Sequence, residues 1–331
     1  MSICFRPSRR QLMLGLATSL AAPALVRTSF ANDYPSGPVQ ILVAYGPGGG
    51  TDTLARMLAP SLSKILSRPV TVQNLPGGGG QVAATTLLRD GGDGHAVLAT
   101  NEPDLSISAV FNKAPYKRSD FQVVVVDVVD PRVMLVQKES AITSFADFVA
   151  RAQAEPGKLA VSVAQGSAQE VYAKWLFGKL GLQVRLVGYN GGAPAANALL
   201  AGDVIATIGD DFARVNIRDK ARCLFVGAEK QSPRWPEAPT LTTALAPQGI
   251  SPPSPSFMAR YGVYVVPAAF KAKHAASYAK LQRAVQQARE APEFQNYITA
   301  SKLDDLSRGK PGEDYDAAFE SDLTAISRLR S

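Results

Sequence analysis

From Pro38 onward the chain alternates short apolar runs with stretches of helical periodicity. PVQILVAY, PVTVQN and AVLAT are strand-like, and the intervening patterns predict helices over about 52–66 and 80–89, giving a βαβαβ unit. Leu54, Leu58, Leu62 and Ile65 fall at spacings of four and three, so the first helix presents one apolar stripe to a sheet. FQVVVVDVV and RVMLVQ are apolar almost without interruption, which suits two strands buried on both faces. Ser144 and Asp147 form a capping-box pair at the start of the next helix, and Pro156-Gly157 ends it. A second α/β series then runs through LAVSV, a helix over about 169–180, QVRLVGY, a helix over about 193–200 closed by Gly202, VIATIGD and RCLFVG. A proline-rich stretch over 247–255 separates this series from the strand RYGVYVV, a long helix over about 270–291 and a last helix opened by Pro311.

The last helix carries Tyr315, Phe319, Leu323 and Ile326 as an apolar stripe that needs a sheet to cover. The first βαβαβ unit is the most economical partner, so the chain is expected to cross between domains twice. We therefore expect an α/β protein of two doubly wound lobes, residues 32–134 plus 257–331 forming one and 135–256 the other. The length of 331 residues, 46% of them hydrophobic and 19% charged, suits two cores that need neither metal nor disulfide. Two such lobes leave a cleft between them, with ligands at the carboxyl ends of strands and closure by a hinge.

The first 31 residues change the picture of location and charge. Arg6, Arg9 and Arg10 precede an apolar run from Leu12 to Leu25, and Ser29-Phe30-Ala31 places small residues where a signal peptidase cuts. The run is shorter than the ~20 apolar residues of a membrane span, and Ser8-Arg9-Arg10-Gln11-Leu12 resembles a twin-arginine export signal. Export to the periplasm, with cleavage near Ala31, is the expectation. Without this segment, which carries four arginines and no acidic residue, the formal charge falls from +7 to +3. The remaining basic residues form no run and no aromatic-interleaved stripe, so nucleic acid is not an expected partner. Cys4 lies in the segment to be removed, which leaves Cys223 without a disulfide partner.

Candidate chemistry lies in two glycine loops. Tyr45-Gly46-Pro47-Gly48-Gly49-Gly50-Thr51-Asp52 ends the first strand and opens the first helix; Asn74-Leu75-Pro76-Gly77-Gly78-Gly79-Gly80 does the same after the second. Glycine lets backbone N–H groups approach a ligand, and helix N-termini add free donors and partial positive charge, so both loops suit an anion. No lysine follows the glycines and the third glycine of a dinucleotide fingerprint is missing, which argues against a nucleotide. Two such loops at the same end of adjacent parallel strands point at one carboxylate-sized spot, to which Thr100 and Asn101 at the end of the third strand also belong.

The ordered strings YPSGPVQILVAYGPGGGTD, VTVQNLPGGGG, Asp93-Gly94-His95, Ala114-Pro115-Tyr116-Lys117, Pro156-Gly157-Lys158-Leu159, Gly166-Ser167, Tyr189-Asn190-Gly191-Gly192-Ala193-Pro194 and Pro236-Glu237-Ala238-Pro239-Thr240-Leu241 resemble the substrate-binding receptors of tripartite tricarboxylate transporters, the Bug-type receptors. The resemblance covers nearly all of the chain beyond residue 31. It implies a two-lobed, periplasmic-binding-protein-like (type II) fold that captures a small organic acid and delivers it to membrane transporter subunits, as a monomer and without a cofactor. It also implies that one ligand carboxylate is held by the loops at 45–52 and 74–80 through N–H groups and ordered water. The second lobe would contribute Gly166, Ser167 and Ala168 together with Tyr189, Asn190 and Gly191. Departures at Leu75, Gly78, Ala83 and His95, and the missing tryptophan around Arg260-Tyr261-Gly262, leave the ligand open among dicarboxylates, aromatic acids, amino acids and related amides.

Single residues narrow the alternatives. Asp52 is expected to cap the first helix, with receipt of a ligand amine as its other possible role; Asp210 and Asp211 are surface or capping residues unless they reach the cleft. His95 and His274 are the only histidines and no cluster has metal-ligand spacing, while Ser167 lacks a nucleophile elbow, so no metal and no catalytic residue is expected. A periplasmic sensor that binds the same solute and signals to a membrane kinase is the competing function; an enzyme using Asp52 or Asp210 is a third.

Overall fold

A computed structural model describes residues 34–228, 230–252 and 259–328. The expected leader at 1–31, and part of the proline-rich stretch, lie outside these residues. In chain order the strands are β1 (Val39–Val43), β2 (Val70–Asn74), β3 (Ala96–Glu102), β4 (Phe121–Gln137), β5 (Ala160–Ala164), β6 (Arg185–Tyr189), β7 (Ala206–Asp210), β8 (Ala221–Val226), β9 (Ala259–Pro267) and β10 (Ser307–Pro311). The helices are α1 (Gly50–Leu66), α2 (Gln81–Asp90), α3 (Asp104–Val110), α4 (Phe145–Ala154), α5 (Ala168–Lys179), α6 (Gly192–Ala201), α7 (Leu241–Leu245), α8 (Ala268–Lys273), α9 (Ala275–Glu290), α10 (Pro292–Ala300) and α11 (Asp316–Arg328). Among the described residues no helix is long and apolar enough to cross a membrane.

The strands follow the order β2-β1-β3-β9-β4-β7-β5-β6, with β8 and β10 also pairing β4. β1, β2 and β3 are parallel, and β9 returns antiparallel between β3 and β4. The apolar runs FQVVVVDVV and RVMLVQ, expected as two strands, form one strand of 17 residues. Its first part, Phe121–Pro131, pairs with β9, and its second part, from Arg132, pairs with β7 and β8. Pro131 lacks an N–H and would weaken a central ladder; here it stands where β4 leaves β9 and joins β7, and its carbonyl accepts the Asp211 N–H at 2.8 Å. One strand thus ties together two sheets, each covered on both faces.

On one face of the first sheet, Leu54, Leu58 and Leu62 of α1 meet Tyr278, Leu281 and Val285 of α9, whereas Ile65, expected on the same stripe, points away from this core and is 38% exposed. On the other, Ala83 and Leu87 of α2 pack with Leu105 and with Phe319 of α11. The second sheet is covered by α4, α5 and α7 on one side, and by α6 with Ile217 and Trp235 on the other. Ile326 of α11 joins the core of this second sheet, so the C-terminal helix touches both halves. The long helix expected over 270–291 is two helices broken at His274, whose non-helical backbone ends α8 and opens α9. Pro311 ends β10, and a short 3-10 turn separates it from α11, so the proline does not open the last helix directly. The capping box stands as expected, with Ser144 Oγ accepting the Asp147 N–H at 3.1 Å.

Candidate functional site

The carboxyl ends of β1, β3, β5 and β7 face one region where loops from both halves meet. Two adjoining cavities lie there and share Tyr45, Ala164 and Ser167. The first is walled by Gly49, Gly50 and Thr51 at the start of α1 and by Gly192 and Ala193 at the start of α6. Asn101, Asp104, Gln169, Asp210, Arg214 and Arg260 add its polar side chains. The second lies under the turn Pro76–Gly80, opposite Gln165, Asn190 and Gly191.

The loop after β1 is braced from within. Asp52, 3% exposed, accepts the Gly48 N–H at 2.9 Å, the Arg56 Nε–H at 3.0 Å and an Asn74 amide N–H at 2.8 Å. Asn74 also donates to the Tyr45 carbonyl at 3.0 Å, tying the first glycine loop to the second. Burial would lift the Asp52 carboxyl, but Arg56, the Gly48 N–H and Asn74 outweigh it and hold it below its ordinary range. The N-cap of α1 is Gly49, which has no side chain to cap with, so Asp52 acts from the first turn as a loop clamp. It offers no free carboxylate to an amine.

Other helix ends are treated differently. At α5 the Ala168 N–H is taken by Asp104 Oδ1 at 2.6 Å, and the Gln169 N–H by Ser167 Oγ at 3.2 Å. Asp104 also accepts the Tyr45 hydroxyl at 2.5 Å and an Asn101 amide N–H at 3.3 Å. This carboxylate therefore joins the β1 and β3 loops to the second half of the molecule. Gly79 and Gly166 also touch across the same seam: a Cβ on Gly79 would overlap the Gly166 carbonyl. That carbonyl accepts the Asn112 amide at 2.9 Å.

Behind the first cavity lies a buried charge cluster. Asp210 pairs with Arg132 and, at 3.2 Å, with Arg260 Nε, and accepts the Gln169 amide at 3.0 Å. Arg260 Nη2 pairs with Asp130 at 2.8 Å and its Nη1 donates to Asn101 Oδ1 at 2.9 Å. Burial pushes the Asp130 carboxyl up to about 6, against the pull of Arg260. Burial would raise Asp210 too, but Arg132, Arg260 and Arg214 hold it low. Asp210 thus reaches the cleft already neutralised, and Asp211 is buried against Arg234 at 2.8 Å; neither is a surface residue, and Asp211 stands at the N-cap of a 3-10 helix without a capping bond from its side chain.

Of the residues singled out in the sequence, Tyr45, Gly49, Gly77, Gly78, Gly79, Asn101, Ser167, Asn190, Gly191 and Asp210 line the two cavities. Gly46, Pro47, Gly48, Asp52, Thr100, Gly166, Ala168 and Tyr189 line neither. Thr100 is fully buried beside the Tyr45 hydroxyl, and the Tyr189 carbonyl accepts the Gln165 and Gly191 N–H groups at 2.9 and 2.8 Å. Sequence reasoning missed Asp104, Gln169, Arg214 and Arg260. For Arg260 there was a signal, a charged residue opening an apolar strand; Arg214, between Ala213 and Val215 in a stretch without a motif, gave none.

The chain matches, over residues 54–310, the family described as the tripartite tricarboxylate transporter family receptor. It is 29% identical over 258 residues to protein BugT of Bordetella pertussis, covering 76% of this chain and 79% of that protein. A protein encoded in the gbd 5′ region of Cupriavidus necator is 31% identical over 236 residues, 69% of this chain and 71% of the other. Among solved structures, MatC of Rhodopseudomonas palustris with bound malate superposes with a TM-score of 0.76 at 24% identity, covering 89% of this chain and 98% of that one. A second R. palustris protein, solved with adipate, gives 0.78 at 23% identity over 90% and 97%. With the fold shared across these structures and the family matched over most of its length, the chain belongs to the tripartite tricarboxylate transporter receptor family.

Proposed function

We propose that this receptor is a periplasmic solute-binding protein that captures a small carboxylated molecule in the double cavity and hands it, unchanged, to a tripartite tricarboxylate-type membrane transporter. The observation that carries the reading is the pair of adjoining cavities lined by helix N-termini and a glycine turn, a surface suited to negative charge. Malate and adipate in two structural relatives favour the same ligand chemistry. In this reading Gly77, Gly78 and Gly79 hold one carboxylate, while Ser167, Asn190 and Gly191 meet it from the other lobe. The lobes, 32–134 plus 257–331 and 135–256, close over the ligand about the two crossings.

The test is a thermal-shift panel of carboxylates, amino acids, amides and sugars on protein refolded to remove bound solute. A ligand at ~100 times its dissociation constant adds about 2.7 kcal/mol of stability. A raised midpoint with carboxylates alone supports the reading; a response confined to sugars or amines overturns it. Gly49→Val should abolish that response while leaving the free protein's midpoint unchanged, since Gly49 lines the first cavity and a Cβ there meets only the Gly46 carbonyl at 3.6 Å. Unchanged affinity in this variant would remove the cavity from the site.

A further inference from the structure

Arg214 is 1% exposed, yet its guanidinium has no ion pair among the described residues. Nη1 makes one long contact, 3.4 Å to the Ala213 carbonyl, while Nε and Nη2 have no hydrogen-bond partner. Those two nitrogens form the side-on edge of the guanidinium, the edge that receives both oxygens of a carboxylate. The group lines the first cavity and lies over Gly209 and Gly192, where any Cβ would crowd it.

Its surroundings increase the demand for an anion. Gly192 opens α6, whose first turn carries no acidic residue and whose N-cap has no side-chain bond, so the positive end of a helix faces a cation. The nearby carboxylates are committed: Asp210 to Arg132 and Arg260, Asp130 to Arg260, and Asp104 to Tyr45, Asn101 and the α5 N-terminus. Arg132 and Arg260 each have a carboxylate within ion-pair distance, whereas Arg214 has none, although Asp210 and Asp130 act on it from farther away. An unpaired buried cation is costly in a folded protein, and such costs persist where a ligand removes them.

We propose that Arg214 is a ligand-binding residue: its side-on edge takes a second carboxylate of the solute, with the first held in the glycine-turn cavity beyond Tyr45 and Ser167. The inference rests on the reading of the cleft as a carboxylate receptor and selects, from the open ligand classes, solutes with a carboxylate at each end. An ammonium group has no place beside Arg214 and Arg260.

The experiment compares C4 to C6 dicarboxylates (succinate, glutarate, adipate) with monocarboxylates of the same lengths by titration calorimetry. It uses the native protein, Arg214→Met and Arg214→Lys. At least one dicarboxylate should bind the native protein about 100-fold tighter than its monocarboxylate, a preference that Arg214→Met removes and Arg214→Lys restores in part. Monocarboxylate affinity should fall far less than dicarboxylate affinity in Arg214→Met. The ligand-free Arg214→Met protein should also melt higher than the native one, because it loses an unpaired buried charge. A lower melting point, equal loss of mono- and dicarboxylate binding, or no native preference between them overturns the role of Arg214. Failure of every carboxylate to bind the native protein overturns the receptor reading itself.

Discussion

Asp130 and Asp210 share Arg260 but experience it differently. Asp210 is gripped also by Arg132 and stays ionised, whereas Asp130 is fully buried with one guanidinium and the Phe212 N–H, and its carboxyl is pushed up to about 6. Because that value lies above the ~3.9 of an unfolded aspartate, the group's contribution to stability is complete below about pH 4 and is lost as pH rises through about 6. Asp210 has the opposite sign: its contribution is present above the ordinary carboxylate range and is lost on acidification. Urea unfolding of native protein and Asp130→Asn between pH 4 and 7 separates the two. The stability difference, native minus variant, should shrink with rising pH by at most on the order of 3 kcal/mol; a difference that grows would refute this assignment. Single residues also mark where sequence reasoning stops. That Asp52 belongs to the start of a helix was legible from its place after a glycine run; that it clamps Gly48, Arg56 and Asn74 required the β2 loop to be brought alongside.

At the scale of elements, local pattern was a good guide wherever one segment decided its own structure. The α1 stripe, the Ser144 capping box and the parallel β1, β2 and β3 all follow from periodicity and capping chemistry within a few residues. It was a poorer guide where a partner decided. Nothing local joins FQVVVVDVV to RVMLVQ across Pro131; the exchange of β9 for β7 as neighbour does. β10 is polar and short, and is a strand only because β4 offers it an edge. The glycine turn before α2 shows both sides. Gly78 and Gly79 each have positive φ, 58° and 65°, so each substitution by alanine carries a similar left-handed cost of about 1 kcal/mol. A Cβ on Gly78 meets only the Gln81 side chain, whereas one on Gly79 strikes the Gly166 backbone. Gly79→Ala should therefore weaken ligand binding by tenfold or more and lower the melting point, and Gly78→Ala should do much less of either. Equal affinities in a calorimetric titration would show that the approach of the two loops does not matter.

For the whole molecule the decisive contact is Asp104, which lies near the end of β3 and reaches the first N–H of α5 in the other half of the protein. It gives the α5 N-terminus an internal anion and leaves those of α1 and α6 facing the cavity. Asp104→Ala removes the bonds to Tyr45, Asn101 and Ala168 together. It should loosen the seam, seen as a larger radius of gyration in solution scattering and faster amide exchange at 166–170, with affinity reduced roughly tenfold. Unchanged exchange there would show that the glycine contact alone holds the halves together. The sequence by itself determined the α/β class, the order of most strands, the two glycine loops and the resemblance that the family match confirmed. These depend on short-range propensity, on apolar periodicity and on ordered motifs, all of which are written along the chain. Tertiary structure alone decided which loop residues line a cavity, which N–H groups the protein consumes itself, and which buried charge is left without a partner. Those depend on atoms from Asp104, Ser167, Arg214 and Arg260 meeting across the cleft, and distances between segments so far apart in sequence exist only once both sheets have packed.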